Sequence, residues 1–298
     1  MELFHFPFNA MGTECELQFF AASKTLAQNA ARYAIEDVRR LESRYSRYRD
    51  DSYLSEINRI AQRGGSLEVD DETAALLNYA DACYRQSDGL FDITSGILRK
   101  IWRKELQQPP DKDTIERLLG QIGWHHVAWN APTLEFATPG MEIDFGGIVK
   151  EYAVDRVAGF CNEQNILHGF VNLGGDLRIF GPRLDGSAWA VGIRHPRQTG
   201  LIRTLYLQRG ALASSGDYER CFVLNGIRYG HVLNPKTGWP VNHLAAVSVI
   251  SDLCVVAGSA STIAMLKEQE GPSWLEALGL PHLWFTVNGE SGGSLALS

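Results

Sequence analysis

Asp144-Phe145-Gly146-Gly147-Ile148-Val149-Lys150, followed 22 residues after Lys150 by Asn172-Leu173-Gly174-Gly175-Asp176, is the stretch on which the reading of this chain turns. Two Gly-Gly pairs, each flanked by an acid and an apolar run, are hard to explain as packing. Glycine loses more backbone entropy on folding than any other residue, so a pair marks a sharp turn or a close approach to the main chain. Between the pairs, residues 150–165 carry Val154, Val157, Ala158 and Cys161 at helical spacing, which predicts a helix. A Gly-Gly turn running into a helix start that bears a lysine suits a phosphate, because free N–H groups and the helix dipole favour an anion there. The stretch matches neither G-x-G-x-x-G nor the Walker loop, so the two common nucleotide fingerprints do not apply. An anion cradle and tight-turn geometry both fit the glycines.

The chain has 298 residues, 45% apolar and 21% charged, enough for a sizeable core in one large domain or two intimate ones. A net charge of −7 without a basic run argues against nucleic acid as a partner. No apolar stretch approaches the roughly 20 residues of a membrane-spanning helix. Residues 1–8 lack a basic n-region, an apolar h-region and a lipid-attachment cysteine, so a cytoplasmic location is expected, or a periplasmic one if a signal was removed. Cys15, Cys83, Cys161, Cys221 and Cys254 are dispersed without a CxxC pair and read as buried free thiols.

Alternation over 11–20 predicts a strand, and amphipathic patterns predict helices over 24–43, 71–86 and 111–122. Short strands are expected from Trp124 to Asp144, with Trp124-His125-His126 at a strand edge. Further strands are predicted over 169–181, 188–195, 202–208, 220–224 and 244–250, and a close-packing Ala/Ser-rich helix over 253–268. A helix-rich first part and strand-rich second part, without βαβ alternation, indicate an α+β fold.

Two constellations carry polar chemistry. In Ser87-Asp88-Gly89-Leu90-Phe91-Asp92-Ile93-Thr94 the glycine stops the preceding helix, or Phe91 and Asp92 sit at a pocket lip. Ser214-Ser215-Gly216-Asp217-Tyr218 reads as a turn, and a hairpin closed by Asn225-Gly226 would bring it beside His231-Val232-Leu233-Asn234-Pro235-Lys236-Thr237-Gly238. His231 is then a general base, with an unperturbed pKa of about 6.5, or a structural histidine bonding a turn carbonyl. A Ser-His-Asp hydrolase lacks its G-x-S-x-G elbow.

Together with Met11-Gly12-Thr13 and Ser46-Arg47-Tyr48…Asp51-Ser52…Ile57-Asn58, these motifs resemble, in order, those of the ApbE family of flavin transferases, from Met11 to about Leu266. The resemblance implies a single domain over 1–298 of two intimately packed lobes, with mixed or antiparallel sheets, packed helices and FAD in the cleft between the lobes. It implies an Mg²⁺-dependent reaction that splits FAD and joins FMN through its phosphate to a Ser or Thr hydroxyl of a target protein, releasing AMP. Carried over by position, Met11, Tyr48, Leu90, Phe91, Asp92, Lys150, Arg156 and Leu233 would face FAD. His231 would accept the hydroxyl proton, and Asp217 and Ser215 would shape the turn beside it. Ala153, through its carbonyl, and Thr262 would hold the metal.

This chain departs from the family pattern at two positions. Where the family's late helix has Ala-Asp-Ala-x-x-Thr, it reads Ala257-Gly258-Ser259-Ala260-Ser261-Thr262, so the metal-binding Asp is replaced by Gly258. Water, Ser259 or Ser261 would have to stand in, or the cation would rest on FAD phosphates. Glu151 stands where the family has Gly after the lysine; it points away or holds the metal itself, compensating for Gly258. Two other readings therefore stand beside the transferase: an FAD-binding member without transfer, and an FAD diphosphatase using water.

Overall fold

In the computed structural model, which describes residues 1–103, 105–218 and 221–296, the elements run β1 (Glu2–Ala10), β2 (Thr13–Ala21), α1 (Lys24–Tyr45), α2 (Tyr53–Arg63), β3 (Gly65–Glu68) and α3 (Asp71–Gln86). A 3₁₀ helix over Ile93–Lys100 precedes α4 (Lys112–Leu119), β4 (Val127–Asn130), β5 (Thr133–Phe136) and α5 (Val149–Glu163). Then come β6 (Gly169–Leu173), β7 (Asp176–Gly181), β8 (Trp189–Arg194), β9 (Leu201–Leu207), β10 (Gly210–Gly216), β11 (Cys221–Leu224) and β12 (Ile227–Gly230). The chain closes with β13 (Leu244–Ser251), α6 (Cys254–Leu266), α7 (Gly271–Leu278), β14 (His282–Thr286) and β15 (Ser291–Gly292).

An eight-stranded sheet ordered β1-β2-β6-β7-β10-β13-β14-β15 is antiparallel at every pairing. Period-two alternation gives it two faces. Val171, Leu173, Ala211, Ala213, Val247 and Val249 join the core that also holds α1, α5 and α6. Phe170, Leu177, Ile179 and Leu212 point the other way, under the β8–β9 ribbon with Trp189, Val191, Ile193 and Leu205. Val154, Val157, Ala158 and Cys161 form the buried stripe of α5, as their spacing predicts. Burial pushes the Cys161 thiol up to about 12, as befits an inert core sulfur. Along α6, Ala257, Gly258, Ala260 and Ser261 are small, so the helix lies close against α5, β10 and β13.

The α+β class is as expected, but its halves are not segregated. β1 and β2 from the chain start pair into the sheet built by its second half. The strand expected over 169–181 is a hairpin, β6–β7, folded at Gly174-Gly175. Ser214-Ser215-Gly216 lies in strand β10 rather than a turn, because its small side chains fit beneath α6. Trp124–His126 is a 3₁₀ turn rather than a strand edge; Trp124 is buried and its amide N–H donates to Asp92 Oδ2 at 3.0 Å. The strand expected over 220–224 is β11, with Arg220 outside the described residues. The Asn225-Gly226 hairpin is present, both residues having positive φ as a tight primed turn requires.

Candidate active site

Two hairpin turns meet at one end of the large sheet. Met11 (φ 53°) and Gly12 (φ 71°) turn β1 into β2, and Gly174 (φ 66°) and Gly175 (φ 96°) turn β6 into β7. A β-carbon at position 174 would stand 2.5 Å from Thr13 Oγ1, so glycine there serves both the left-handed backbone and the contact between the turns. Gly174 N–H donates to the Glu14 carbonyl at 3.1 Å, and Gly175 N–H to Asn172 Oδ1 at 2.8 Å.

The other glycine pair leads into α5. Asp144 is fixed by Arg47 (2.7 Å) and Arg99 (2.8 Å), and its Oδ1 accepts from Gly146 N–H at 2.9 Å. The N–H groups of Ile148 and Val149 both turn back onto the Phe145 carbonyl, and α5 begins with no side-chain cap. Its first-turn amides thus lack the usual side-chain acceptor. A β-carbon at Gly147 would lie 3.2 Å from Phe91 Cζ, so the aromatic ring covers the loop. Phe91 is buried, as is Asp92, which caps the 3₁₀ helix by accepting from Thr94 N–H (2.8 Å) and Thr94 Oγ1 (2.7 Å). Burial raises the Asp92 pKa above the ordinary carboxylate value, against the hydrogen bonds from Thr94 and Trp124. With both oxygens engaged inside the protein, Asp92 braces the loop from beneath. Leu90, half-buried, packs against the main core beside it.

Lys150, in the first turn of α5, pairs with buried Asp176 at the start of β7, and its Nζ lies 3.4 Å from Glu151 Oε1. Asp176 Oδ1 also accepts from Ser214 N–H of β10 at 3.0 Å. One residue on, Ser215 Oγ meets Ser261 Oγ (2.8 Å) and Thr262 Oγ1 (2.9 Å) of α6. Ser261 is fully buried and donates to the Gly258 carbonyl at 2.9 Å. Glu151 is only 7% exposed, and its Oε2 is buried with no hydrogen-bond partner among the described residues. Ala153, two residues on, is fully buried and offers only its backbone carbonyl.

Beyond β10 the chain reaches Asp217, whose carboxylate is gripped at both oxygens by Arg197 at 2.6 and 2.7 Å. A β-carbon at Gly230 would stand 3.2 Å from that of Asp217, which sets the next residue, His231, beside the Asp217 turn as the hairpin predicts. His231 is exposed. Leu233 is buried with Ile97, Leu98, Trp102, Leu118 and Ile122, and Trp102 Nε1–H donates to the Gly238 carbonyl at 2.7 Å, anchoring that turn.

Lys150, Ser215, Ser261, Thr262 and Glu151 are thus brought together, with Met11 and the second glycine turn at the same sheet end and Asp217 and His231 following on from β10. One expected ligand contact stands apart. Arg156 binds Asp37 at 2.7 Å and approaches Glu72 at 3.8 Å, tying α5 to α1 and α3. Six residues from Lys150, it lies about 120° around the helix, so it faces other elements. Tyr48 is 87% exposed, with the Arg47 guanidinium 6.0 Å from its ring centroid. Arg197 and Arg99 escaped sequence reasoning. Arg197 follows His195-Pro196 in an aperiodic turn, and Arg99 lies between the helices predicted over 71–86 and 111–122, where no motif marks it.

By fold the chain is an α+β protein of the flavin-transferase kind. The ApbE protein of Thermotoga maritima superposes with a TM-score of 0.91 at 30% identity, over 99% of this chain and 97% of that one. The family model described as ApbE family matches residues 11–284, and the chain belongs to the ApbE family. The FAD:protein FMN transferase of Vibrio cholerae is 30% identical over 295 residues, spanning 95% of this chain and 87% of its own length. That of Haemophilus influenzae is 30% identical over 234 residues, 74% of this chain and 68% of the relative.

Proposed function

We propose that this chain is an FAD:protein FMN transferase. The observation that carries the reading is the uncapped start of α5 behind Gly146-Gly147, with Lys150 in its first turn, in a chain of which a relative of that name matches 95%. First-turn amides without a side-chain cap, together with an ammonium group, are what a pyrophosphate requires. Phe91, Leu90 and Met11 supply apolar surface around the loop for the flavin, and Leu233 does so at the far end.

In the reaction proposed, a Ser or Thr hydroxyl of a target protein attacks the FMN-side phosphorus. The bridging P–O bond breaks, AMP leaves with the bond's electron pair, and the hydroxyl proton passes to His231. An imidazole suits that step, because its unperturbed pKa of about 6.5 lets it accept a proton near neutrality. Asp217, held at both oxygens by Arg197, shapes the turn beside the histidine and does not itself take the proton. Phosphoryl transfer depends mainly on positioning and charge neutralisation, and a bound Mg²⁺ would supply the second of these. The residues fit such an ion: Glu151 presents a buried oxygen with no partner among the described residues, with the hydroxyls of Thr262 and Ser261 and the carbonyl of Ala153 as further hard donors.

The test is AMP release from FAD and MgCl₂, measured by chromatography with and without a flavin-acceptor domain. Transfer predicts AMP that depends on the acceptor. AMP at the same rate without acceptor would make the protein a diphosphatase, and bound FAD that stays intact would make it a carrier.

A further inference from the structure

Gly258 and Glu151 are a matched pair. A β-carbon built at position 258 would stand 2.5 Å from Glu151 Cγ, 3.1 Å from its Cδ and 3.3 Å from Oε1. The Glu151 side chain of α5 therefore fills the volume that a side chain at position 258 of α6 would need. Cγ is mid-chain, so the conflict is not relieved by swinging a free end aside. The carboxylate delivered there is buried. Lys150 lies 3.4 Å from Oε1, while Oε2 has no partner among the described residues. A buried carboxylate oxygen left unpaired costs free energy, so its retention calls for an unseen partner. Hydroxyl oxygens border the same turn: Thr262 is four residues from Gly258 on one helix face, Ser261 bonds the Gly258 carbonyl, and Ser215 joins both from β10. No group of three or more His, Cys, Asp or Glu able to hold a metal occurs among the described residues. What is assembled instead is one carboxylate among neutral oxygens, a donor set for a hard divalent cation that shares its remaining positions with water and phosphate oxygens.

We infer that the anionic ligand of the divalent-cation site has changed helices in this chain: Glu151 of α5 supplies it, and residue 258 of α6 is glycine to make room. The inference rests on the reading that this site handles a pyrophosphate. It turns Gly258 from a lesion into half of an exchange.

Mn²⁺ is the probe, titrated into the full chain alone and with FAD, and followed by loss of the free-ion paramagnetic resonance signal. Glu151→Gln preserves volume and removes the charge, and its Kd for Mn²⁺ rises more than about tenfold, the loss a removed partner of a metal site brings. The fold of the variant, read by far-UV circular dichroism, stays as in the wild type. Glu151→Gly loses Mn²⁺ binding likewise, and Glu151→Gly with Gly258→Asp, which returns the carboxylate to α6, restores it. Unchanged Mn²⁺ affinity in Glu151→Gln, or a wild type that takes up no Mn²⁺, overturns the inference. If Glu151→Gln does not fold, the double variant decides: folded and binding supports the exchange, folded without binding overturns it. A wild type that binds Mn²⁺ through Glu151 yet releases no AMP overturns the transferase reading and leaves the cation site standing.

Discussion

Gly258 holds a buried helical position where a β-carbon would stand 2.5 Å from Glu151 Cγ of the neighbouring helix. Gly258→Ala overpacks this contact and destabilises the protein by about 1–3 kcal/mol in denaturant unfolding, although alanine is the better helix former. In a Glu151→Gly background the same change is neutral or stabilising, because the conflicting Cγ is gone. A similar contrast separates the residues of the second glycine turn. Gly174→Ala meets Thr13 and an unfavourable φ together and costs about 1–3 kcal/mol, whereas Gly175→Ala, open to space, carries only the backbone penalty. In the sequence His231 was legible beside a turn, as a general base or as a structural histidine. His231→Ala is expected to lower AMP release about 10²–10⁴-fold with FAD affinity retained, in a fluorescence titration run beside the kinetics. Asp92 was legible as a residue of interest but not as a buried brace, since its partner Trp124 N–H lies 32 residues away. Arg156 was assigned by position alone, and only the helix phase reveals that it faces α1 and α3.

Helices α1, α3 and α5 are stitched together by Asp37, Arg40, Glu72 and Arg156. The hydrogen bond from Arg40 is the main cause holding Glu72 below its usual pKa. Burial works against Asp37, but hydrogen bonds from Arg156 and Arg40 outweigh it and lower its pKa as well. Both groups favour the charged form more in the folded state than in the unfolded one. Their contribution is therefore present above the unfolded values of about 3.9–4.3 and is lost as pH falls through the lower folded values. Chemical denaturation below about pH 4 should show a falling stability whose slope is shallower in Glu72→Gln. The elements themselves were unevenly legible. α1, α3 and α5 announced themselves by apolar spacing. β1 did not, although Phe4, Phe6 and Phe8 alternate, because Pro7 argues against a strand; it is tolerated here on the edge of the sheet. β10 was hidden because Gly210-Ala211-Leu212-Ala213-Ser214-Ser215-Gly216 has no β-branched residue, and only its burial under α6 makes it a strand.

Across the whole molecule, the sheet order explains why a site scattered over more than two hundred residues of sequence becomes one place. β2, β6, β7 and β10 are consecutive neighbours, so the turns at Met11-Gly12 and Gly174-Gly175 and the polar end of β10 fall in a row, with the starts of α5 and the face of α6 laid across them. Sequence order conceals this, since β1 and β2 enter the sheet from the far end of the chain. The most direct test of the transferase account is the intact mass of a flavin-acceptor domain after incubation with this protein, FAD and MgCl₂. The account predicts an FMN-sized gain on the acceptor, matched by AMP and abolished when the acceptor's Ser or Thr is replaced by Ala. An acceptor of unchanged mass beside accumulating AMP, or beside FAD left intact, would contradict it.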